Sequence, residues 1–183
     1  GIITEVNFKL FPAPPAAASF IFAFESLEAA LETRRRIVHS VWQPRALELL
    51  DPAGARLGGV ASLSPEHWSL VVAVGSVEKV IQRYETDFNT LAHERKAASF
   101  STVRHEENRA LWAGLRGLLA RLREANSATA VVKCTLPLTQ LGPFIAKAQQ
   151  VAERYELPRA ASAHAGSGIA YVYLLPEGGT AEV

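Results

Sequence analysis

Residues 18–24, ASFIFAF, decide the fold class, because this short apolar run is followed at once by a helix signal. A run of this length between polar residues is typical of a mostly buried strand. Ser26 then offers an N-cap with Glu28 in the first turn, and the apolar spacing predicts a helix that extends to about Ser40. The chain therefore starts an alternation of strands and helices at this point.

The alternation continues to the end of the chain. Further strands are predicted at residues 45–51, 67–75, 129–138, 160–164 and 169–175, and further helices from Ser76, over about 105–125 and from Thr139. Two β-α-β-β stretches result, and the second lacks a final helix and strand. The expected fold class is α+β, with duplicated ferredoxin-like (β-α-β-β) units, a largely antiparallel sheet and helices on one face.

At the beginning of the chain, a predicted strand is followed by prolines and not by a helix. Residues 2–10 alternate well enough to predict a strand, and Pro12, Pro14 and Pro15 end it. The first residue is glycine rather than methionine. We therefore expect residues 1–15 to be the end of a preceding domain plus a hinge, and residues 16–183 to form a second domain that is incomplete at its C-terminus.

Composition excludes several classes of protein. The 183 residues are 49% hydrophobic and 20% charged, which is typical of globular proteins. The net charge of +1 gives no basic field for nucleic acid, and no apolar run is long enough to span a bilayer. The single cysteine, Cys134, excludes an intrachain disulfide and fits a reducing compartment, so a cytoplasmic location is expected.

No motif in the sequence builds an active site alone. The chain has no phosphate-binding loop, no dinucleotide-binding glycine pattern, no nucleophile elbow and no Cys-x-x-Cys pair. Its five histidines are scattered, and none forms a His-x-x-x-His pair on a helix face. We therefore expect no metal site made by this chain.

The most unusual local sequence is ASAHAGSGIAY at residues 161–171. It predicts a strand, a turn at Gly166 and Gly168, and a second strand, with His164 beside the turn. One interpretation is a hairpin whose histidine is merely exposed or hydrogen-bonded. The other is a histidine that hydrogen-bonds a substrate carboxylate or shuttles a proton.

Two cations are further candidates. Arg116 follows Leu111 and Trp112 by about one helical turn, so its guanidinium could hold a carboxylate, although exposed helical arginines often do nothing specific. Lys133 interrupts an otherwise apolar strand. Its side chain either points to an anionic ligand or marks the solvent face of that strand.

An ordered set of motifs resembles one known family. The opening GIITEV, followed by Lys9-Leu10 and the prolines, is similar to the junction between domains in FAD-linked oxidases of the glycolate oxidase and D-lactate dehydrogenase type. Residues 45–51 resemble an early strand of the C-terminal (cap) domain, and Glu107 to Arg116 resembles its Glu…Leu-Trp-x-x-Arg helix. HAGSG from His164 resembles the start of its His-x-Gly-Asp-Gly-Asn-x-His motif.

The resemblance has consequences for the site. In metal-dependent members the two histidines of the last motif are ligands, but the second position here is Tyr171, which is a poor replacement, so the expected metal is none. This departure favours the FAD-binding accessory subunit of glycolate oxidase. The resemblance implies catalytic roles for His164 and Arg116 and substrate binding by Lys133 and Tyr171. It also implies that Ile2, Ile3 and Thr4 approach the cofactor, FAD.

Two functions are therefore expected to compete. The first is a cap, or substrate, domain of an FAD-dependent 2-hydroxy-acid oxidase or dehydrogenase, which orients its substrate over a flavin held by a missing domain. The second is a non-catalytic ferredoxin-like module for ligand binding or assembly in a multi-subunit oxidase. The expected partners are the FAD-binding domain of the same parent chain, a small 2-hydroxy acid and other oxidase subunits. Such subunits could also associate the protein with a membrane. This chain alone is expected to be inactive and not to retain FAD.

Overall fold

The computed structural model describes residues 1–10 and 12–176. The strands of the described chain are β1 (Ala16–Phe24), β2 (Ala46–Leu50), β3 (Trp68–Ser76), β4 (Ser99–Arg104), β5 (Ala130–Thr135), β6 (Arg159–His164) and β7 (Ile169–Leu174). The helices are α1 (Leu27–Val38), α2 (Pro52–Gly58), α3 (Glu78–Glu94), α4 (His105–Arg116), α5 (Leu118–Ala125) and α6 (Leu141–Arg154). A short 3-10 turn, Leu138–Gln140, leads into α6.

The strands form a single sheet in the order β4-β1-β3-β2-β6-β7-β5. Every neighbouring pair is antiparallel. The expected α+β class and antiparallel sheet are therefore confirmed. The first four strands follow the order β4-β1-β3-β2 and the last three the order β6-β7-β5. In the first group β3 lies between β1 and β2, and in the second group β7 lies between β5 and β6. The two groups therefore share an arrangement, and the proposed duplication stays a prediction.

The larger core lies on the face of the sheet that α1, α3 and α6 cover. Phe88 of α3 is fully buried at its centre, and its ring centroid lies 5.1 Å from that of Phe20 and 5.8 Å from that of Phe22. Trp42 completes the cluster at 5.0 Å from Phe88. Such edge-on aromatic contacts add to the stabilisation from buried area. The central apolar residues of these helices face the sheet, whereas apolar residues at or beyond their ends, such as Val41, Val77 and Tyr155, are exposed.

The opposite face carries a second core, so the expectation of helices on one face only is wrong. Leu111, Leu118 and Leu122 of α4 and α5 pack with α2 over the other side of the strands. The physical reason is that β1 and β3 are apolar at consecutive positions, as in Ile21 between two phenylalanines. Strands that are apolar on both faces require cover on both.

Several local predictions differ from the structure. Residues 2–10 form no strand, and Ile2 and Phe8 are 92% and 80% exposed, because no described strand pairs with them. Residues 99–104, where no strand is predicted, form the edge strand β4, and Ser76 does not cap α3, whose N-cap is Val77. Ser26 does cap α1 through a hydrogen bond from the backbone N–H of Ala29.

The helix predicted over residues 105–125 is divided at Gly117 into α4 and α5. The Arg121 guanidinium donates hydrogen bonds to the carbonyl oxygens of Gly58 and Gly114, and so ties α5 to the ends of α2 and to α4. Residues 52–58, where no helix is predicted, form α2, which Asp51 caps through a 2.7 Å hydrogen bond from the Gly54 N–H. These short helices complete the second layer.

Asp51 also forms a nearly buried ion pair. Its Oδ2 atom lies 2.8 Å from Nη1 of Arg159, and the two side chains are 3% and 14% exposed. The other Arg159 nitrogen, Nη2, donates to Oε1 of Gln149 on α6. The Asp51 carboxylate therefore joins α2 to β6, and Arg159 extends the connection to α6. Removal of the carboxylate would leave the nearly buried guanidinium of Arg159 without a charge partner.

We predict that Asp51→Ala lowers the free energy of unfolding by about 3–5 kcal/mol, because it removes a helix cap and leaves Arg159 unpaired. Asp51→Asn keeps the cap and should cost less. Urea denaturation followed by circular dichroism measures both changes. Glu106→Ala, which removes an exposed pair with Arg109, is the control and should change stability by less than about 1 kcal/mol. A loss for Asp51→Ala as small as that of the control would contradict this account.

Candidate functional site

A cavity of about 300 Å³ lies between the strands β2, β6 and β7 and the helices α4 and α5. Glu48, Ser162, His164 and Tyr171 contribute its polar groups from the sheet. These side chains share one face because residues two apart in a strand point the same way and β2, β6 and β7 are neighbours. Arg116 lines the same cavity from the last residue of α4.

The central feature of the cavity is a hydrogen-bonded pair of Glu48 and His164. The register places these two residues directly opposite each other on β2 and β6. Both carboxylate oxygens of Glu48 lie 2.8 Å from Nδ1 of His164. An ionised carboxylate can only accept, so it holds the imidazole proton on Nδ1 and leaves the lone pair on Nε2.

The environment of this pair shifts the titration of the glutamate. Burial raises the pKa of the Glu48 carboxyl above its ordinary value, and the hydrogen bond and the charge of His164 lower it in part. The Glu48 side chain is 15% exposed, whereas that of His164 is 46% exposed. The histidine is therefore the member of the pair that reaches a ligand.

Two tyrosines of β7 extend the polar surface. The hydroxyl of Tyr171 lies 3.5 Å from Nε2 of His164, at the outer limit of a hydrogen bond, and the two rings are nearly perpendicular. The hydroxyl of Tyr173 lies 3.0 Å from that of Ser162. Burial raises the pKa of Tyr173, so its hydroxyl stays protonated and available as a donor.

Arg116 is the cation at the mouth of the cavity. It is exposed, and among the described residues its guanidinium has no hydrogen-bond or ion-pair partner. Leu115 and Trp112, on the preceding turn of α4, pack against the second core and fix the end of the helix. An arginine held in place but unpaired can receive a carboxylate in a two-pronged hydrogen bond.

The structure thus brings together three of the predicted site residues, His164, Arg116 and Tyr171. Lys133 does not line the cavity, but lies exposed at its margin with Nζ 5.6 Å from the ring centroid of Tyr171. Ile2, Ile3 and Thr4 are exposed and line no part of the cavity. Their contact with a flavin stays a prediction.

Sequence reasoning missed the roles of Glu48, Ser162 and Tyr173. Glu48 carried one local signal, since it is the only charged residue between Leu47 and Leu50 of a strand. A carboxylate in that position either faces solvent or has a partner. Its partner is 116 positions away in the sequence, and only the pairing of β2 with β6 brings the two together.

The described residues contain no group of three or more His, Cys, Asp or Glu side chains that could hold a metal ion. The cavity, at about 300 Å³, lies at the lower end of the range for ligand sites and has room for a small acid. A dinucleotide such as FAD does not fit it. The geometry therefore assigns none of the described residues to the cofactor.

The sheet, its two helical layers and the polar cavity define an α+β domain. Residues 13–182 match the family described as "FAD linked oxidases, C-terminal domain", and the chain belongs to that family. The expected family, its link to FAD and its oxidoreductase class are therefore confirmed.

Individual relatives agree with this assignment. The chain is 24% identical over 176 residues to the glycolate oxidase subunit GlcD of Bacillus subtilis, covering 92% of this chain and 37% of that protein. Its fold is similar to that of p-cresol methylhydroxylase (TM-score 0.70, 13% identity) over 93% of this chain and 41% of the other. Alkyldihydroxyacetonephosphate synthase gives a TM-score of 0.66 at 16% identity, over 90% and 37%.

The chain thus spans somewhat over a third of the length of the relatives it matches. The curated relative is named as a subunit of glycolate oxidase. The finer expectation of an accessory subunit stays a prediction. No described helix is both long enough and apolar enough to cross a membrane.

We predict that His164→Leu raises the pKa of Glu48 further, because it removes the hydrogen bond and charge that now lower it while burial remains. A carboxyl whose folded-state pKa is raised stabilises the fold fully below its unfolded pKa, and this contribution is lost as pH rises through the folded-state pKa. The stability of His164→Leu relative to wild type should therefore decline as the pH rises above the ordinary pKa of a glutamate, about 4.3.

Carbon-detected NMR of the Glu48 carboxyl and urea denaturation at several pH values measure the two effects. His93→Leu, a substitution on the exposed side of α3, is the matched control and should show no such pH dependence. An unchanged titration of Glu48 in His164→Leu would show that the pair does not form in solution.

Proposed function

We propose that this domain is the cap, or substrate, domain of an FAD-dependent 2-hydroxy-acid oxidase or dehydrogenase such as glycolate oxidase. In this role it orients the substrate over a flavin that a separate domain holds. The observation that carries the proposal is the convergence of an unpaired guanidinium, Arg116, and a glutamate-oriented imidazole, His164, on one small cavity. Membership of the FAD-linked oxidase family supplies the redox setting.

A 2-hydroxy acid offers two groups that match these side chains. Its carboxylate pairs with the guanidinium of Arg116, which lies at the cavity mouth with no competing acid among the described residues. Its hydroxyl then lies toward Nε2 of His164, the nitrogen that the Glu48 hydrogen bond leaves unprotonated. Binding at both ends fixes the carbon between them, which is the entropic contribution of a positioning site.

The oxidation separates a proton from a hydride. His164 takes the proton of the hydroxyl at Nε2, and the O–H bonding pair becomes the second bond of the new carbonyl as hydride leaves the adjacent carbon. FAD bound in the parent protein would supply the hydride acceptor. The product is the 2-oxo acid, and the negative charge of Glu48 stabilises the imidazolium that forms.

The remaining polar groups tune this arrangement. The hydroxyl of Tyr171 lies beside Nε2 of His164 and offers a second hydrogen bond to the substrate oxygen. Lys133, over the ring of Tyr171, adds positive charge at the margin of the cavity and so favours the approach of an anion. Both therefore support the assignment of substrate binding, Tyr171 by contact and Lys133 by charge.

We further propose that residues 1–15 end an FAD-binding domain of the same parent chain and act as a hinge, with residues 16–183 as the cap. The exposed apolar side chains of Ile2, Ile3 and Phe8 support this, because they would be covered by pairing with such a domain. Backbone groups of Ile2, Ile3 and Thr4 would then approach the flavin. Other oxidase subunits are further candidate partners, as the name of the curated relative indicates.

We predict that His164→Gln lowers kcat for glycolate or D-lactate by about 10²–10⁴-fold in the flavoprotein that contains this chain, because the amide cannot accept the proton. Rapid-mixing measurement of flavin reduction isolates the chemical step. His93→Gln, on the opposite face of the sheet, is the control and should leave the rate unchanged. Wild-type rates of reduction in His164→Gln would remove this residue from catalysis.

We predict that Arg116→Met raises KM for the same acids by about tenfold or more, since the carboxylate loses its charge-assisted hydrogen bonds. Added guanidinium chloride at millimolar concentration should restore part of the activity. Arg123→Met removes an exposed arginine of α5 and serves as the matched control. Equal KM values for the two variants would show that Arg116 does not bind the substrate.

A further inference from the structure

A second site is indicated by a buried arginine on the other face of the sheet. Arg34 of α1 is only 7% exposed, although arginine is seldom buried without a charge partner. Its Nη2 atom donates a 3.0 Å hydrogen bond to the carbonyl oxygen of Leu138. Its Nε atom has no hydrogen-bond partner, and no described carboxylate forms an ion pair with it.

Arg34 lines a groove of about 660 Å³ between α1 and the start of α6. This volume lies within the usual range of small-molecule sites, roughly 300–1,000 Å³. The walls are mainly apolar, formed by Leu27 and Leu31 on one side and by Leu138 and Ala146 on the other. An apolar groove with one polar group that lacks partners is the usual form of an orienting ligand site.

The charges around the groove leave Arg34 uncompensated. Glu28 and Glu32 also line the groove, from the same helix as Arg34 and Arg35, and both glutamates are exposed. Oε2 of Glu32 lies 3.8 Å from Nη1 of Arg95, the residue after α3, so Glu32 forms an ion pair with a cation that does not line the groove. Burial, with Arg35 nearby, lowers the pKa of Arg34, as expected for a desolvated guanidinium without an acidic partner.

We propose that the groove between α1 and α6 binds a carboxylic acid with an apolar chain, with the carboxylate on Arg34 and the chain along the leucines. The carboxylate provides the anionic acceptor that the guanidinium lacks. The chain covers the apolar walls, which a short polar acid would leave exposed. This site lies on the opposite face of the sheet from the cavity of His164 and does not depend on the function proposed for that cavity.

Gly142 allows α6 to pack close to α1 beside the groove. A Cβ atom at Gly142 would come within 2.8 Å of Cδ1 of Leu31, so the two helices approach closely at that point. Ala146, one turn further along α6, is exposed and faces the groove. A large side chain at position 146 would therefore fill the space without touching the packing between Gly142 and Leu31.

The test is titration of the 183-residue chain with octanoate, followed by calorimetry and by NMR of the arginine Nε–H signals. We expect saturable binding of octanoate with a shift of the Arg34 Nε–H signal. Octanol, which lacks the charge, and acetate, which lacks the chain, should each bind about tenfold or more weakly. Equal affinity for octanol and octanoate, or no saturable binding of octanoate, would overturn the proposal.

Variants locate the site. Arg34→Met should weaken octanoate binding about tenfold or more, whereas Arg35→Met, on the exposed rim, should weaken it less than about threefold. Ala146→Phe keeps Arg34 and fills the groove, so it should abolish binding even if Arg34→Met folds poorly. His164→Gln should leave octanoate binding unchanged. Unaltered affinity in Ala146→Phe, or a loss in His164→Gln, would place octanoate elsewhere and contradict the proposal.

Discussion

The pairing of β2 with β6 is the interaction on which the rest of the molecule depends. It is short, with Glu48, Leu49 and Leu50 opposite His164, Ala163 and Ser162. Backbone hydrogen bonds extend it at both ends, from Asp51 to Ala161 and from Ala165 to Leu47. This pairing makes one sheet from two groups of strands, and it also places Glu48 against His164. Fold and site therefore share a single constraint.

Local pattern predicted much of the fold. The Ser26 cap, the buried stripe through Ile81 and Phe88, and the turn after His164 each depend on neighbours within a few residues, and the structure contains all three. Strand β4 was not predicted because SFSTVR alternates weakly, and an edge strand forms mainly through its partner β1. The second helical layer was not predicted because an apolar run such as residues 18–24 indicates a buried strand but does not specify what covers each of its two faces.

The residues of the candidate site also differ in whether local sequence or long-range pairing reveals them. His164 could be found from the glycine turn beside it, Arg116 from its place one turn after Leu111 and Trp112, and Tyr171 from the motif that begins at His164. Glu48 could not, because its role follows from the β2–β6 register, which no local pattern specifies. Yet Glu48 decides which imidazole nitrogen is free. The sequence thus indicates where a site lies, and the long-range pairing determines its chemistry.

Arg116 and Arg34, which have no ion-pair partner among the described residues, lie on opposite faces of the sheet. Arg116 is exposed at the end of α4, where water satisfies the guanidinium until a ligand arrives, so its lack of a partner costs little. Arg34 is buried between α1 and the turn before α6, where water cannot replace the missing acceptor of Nε, so its lack of a partner costs stability. A carboxylate in the groove would compensate the charge of the Arg34 guanidinium and should therefore stabilise the fold, whereas one at Arg116 would gain affinity mainly from its own hydrogen bonds. Binding in the groove, as proposed, is thus expected to be coupled to folding stability.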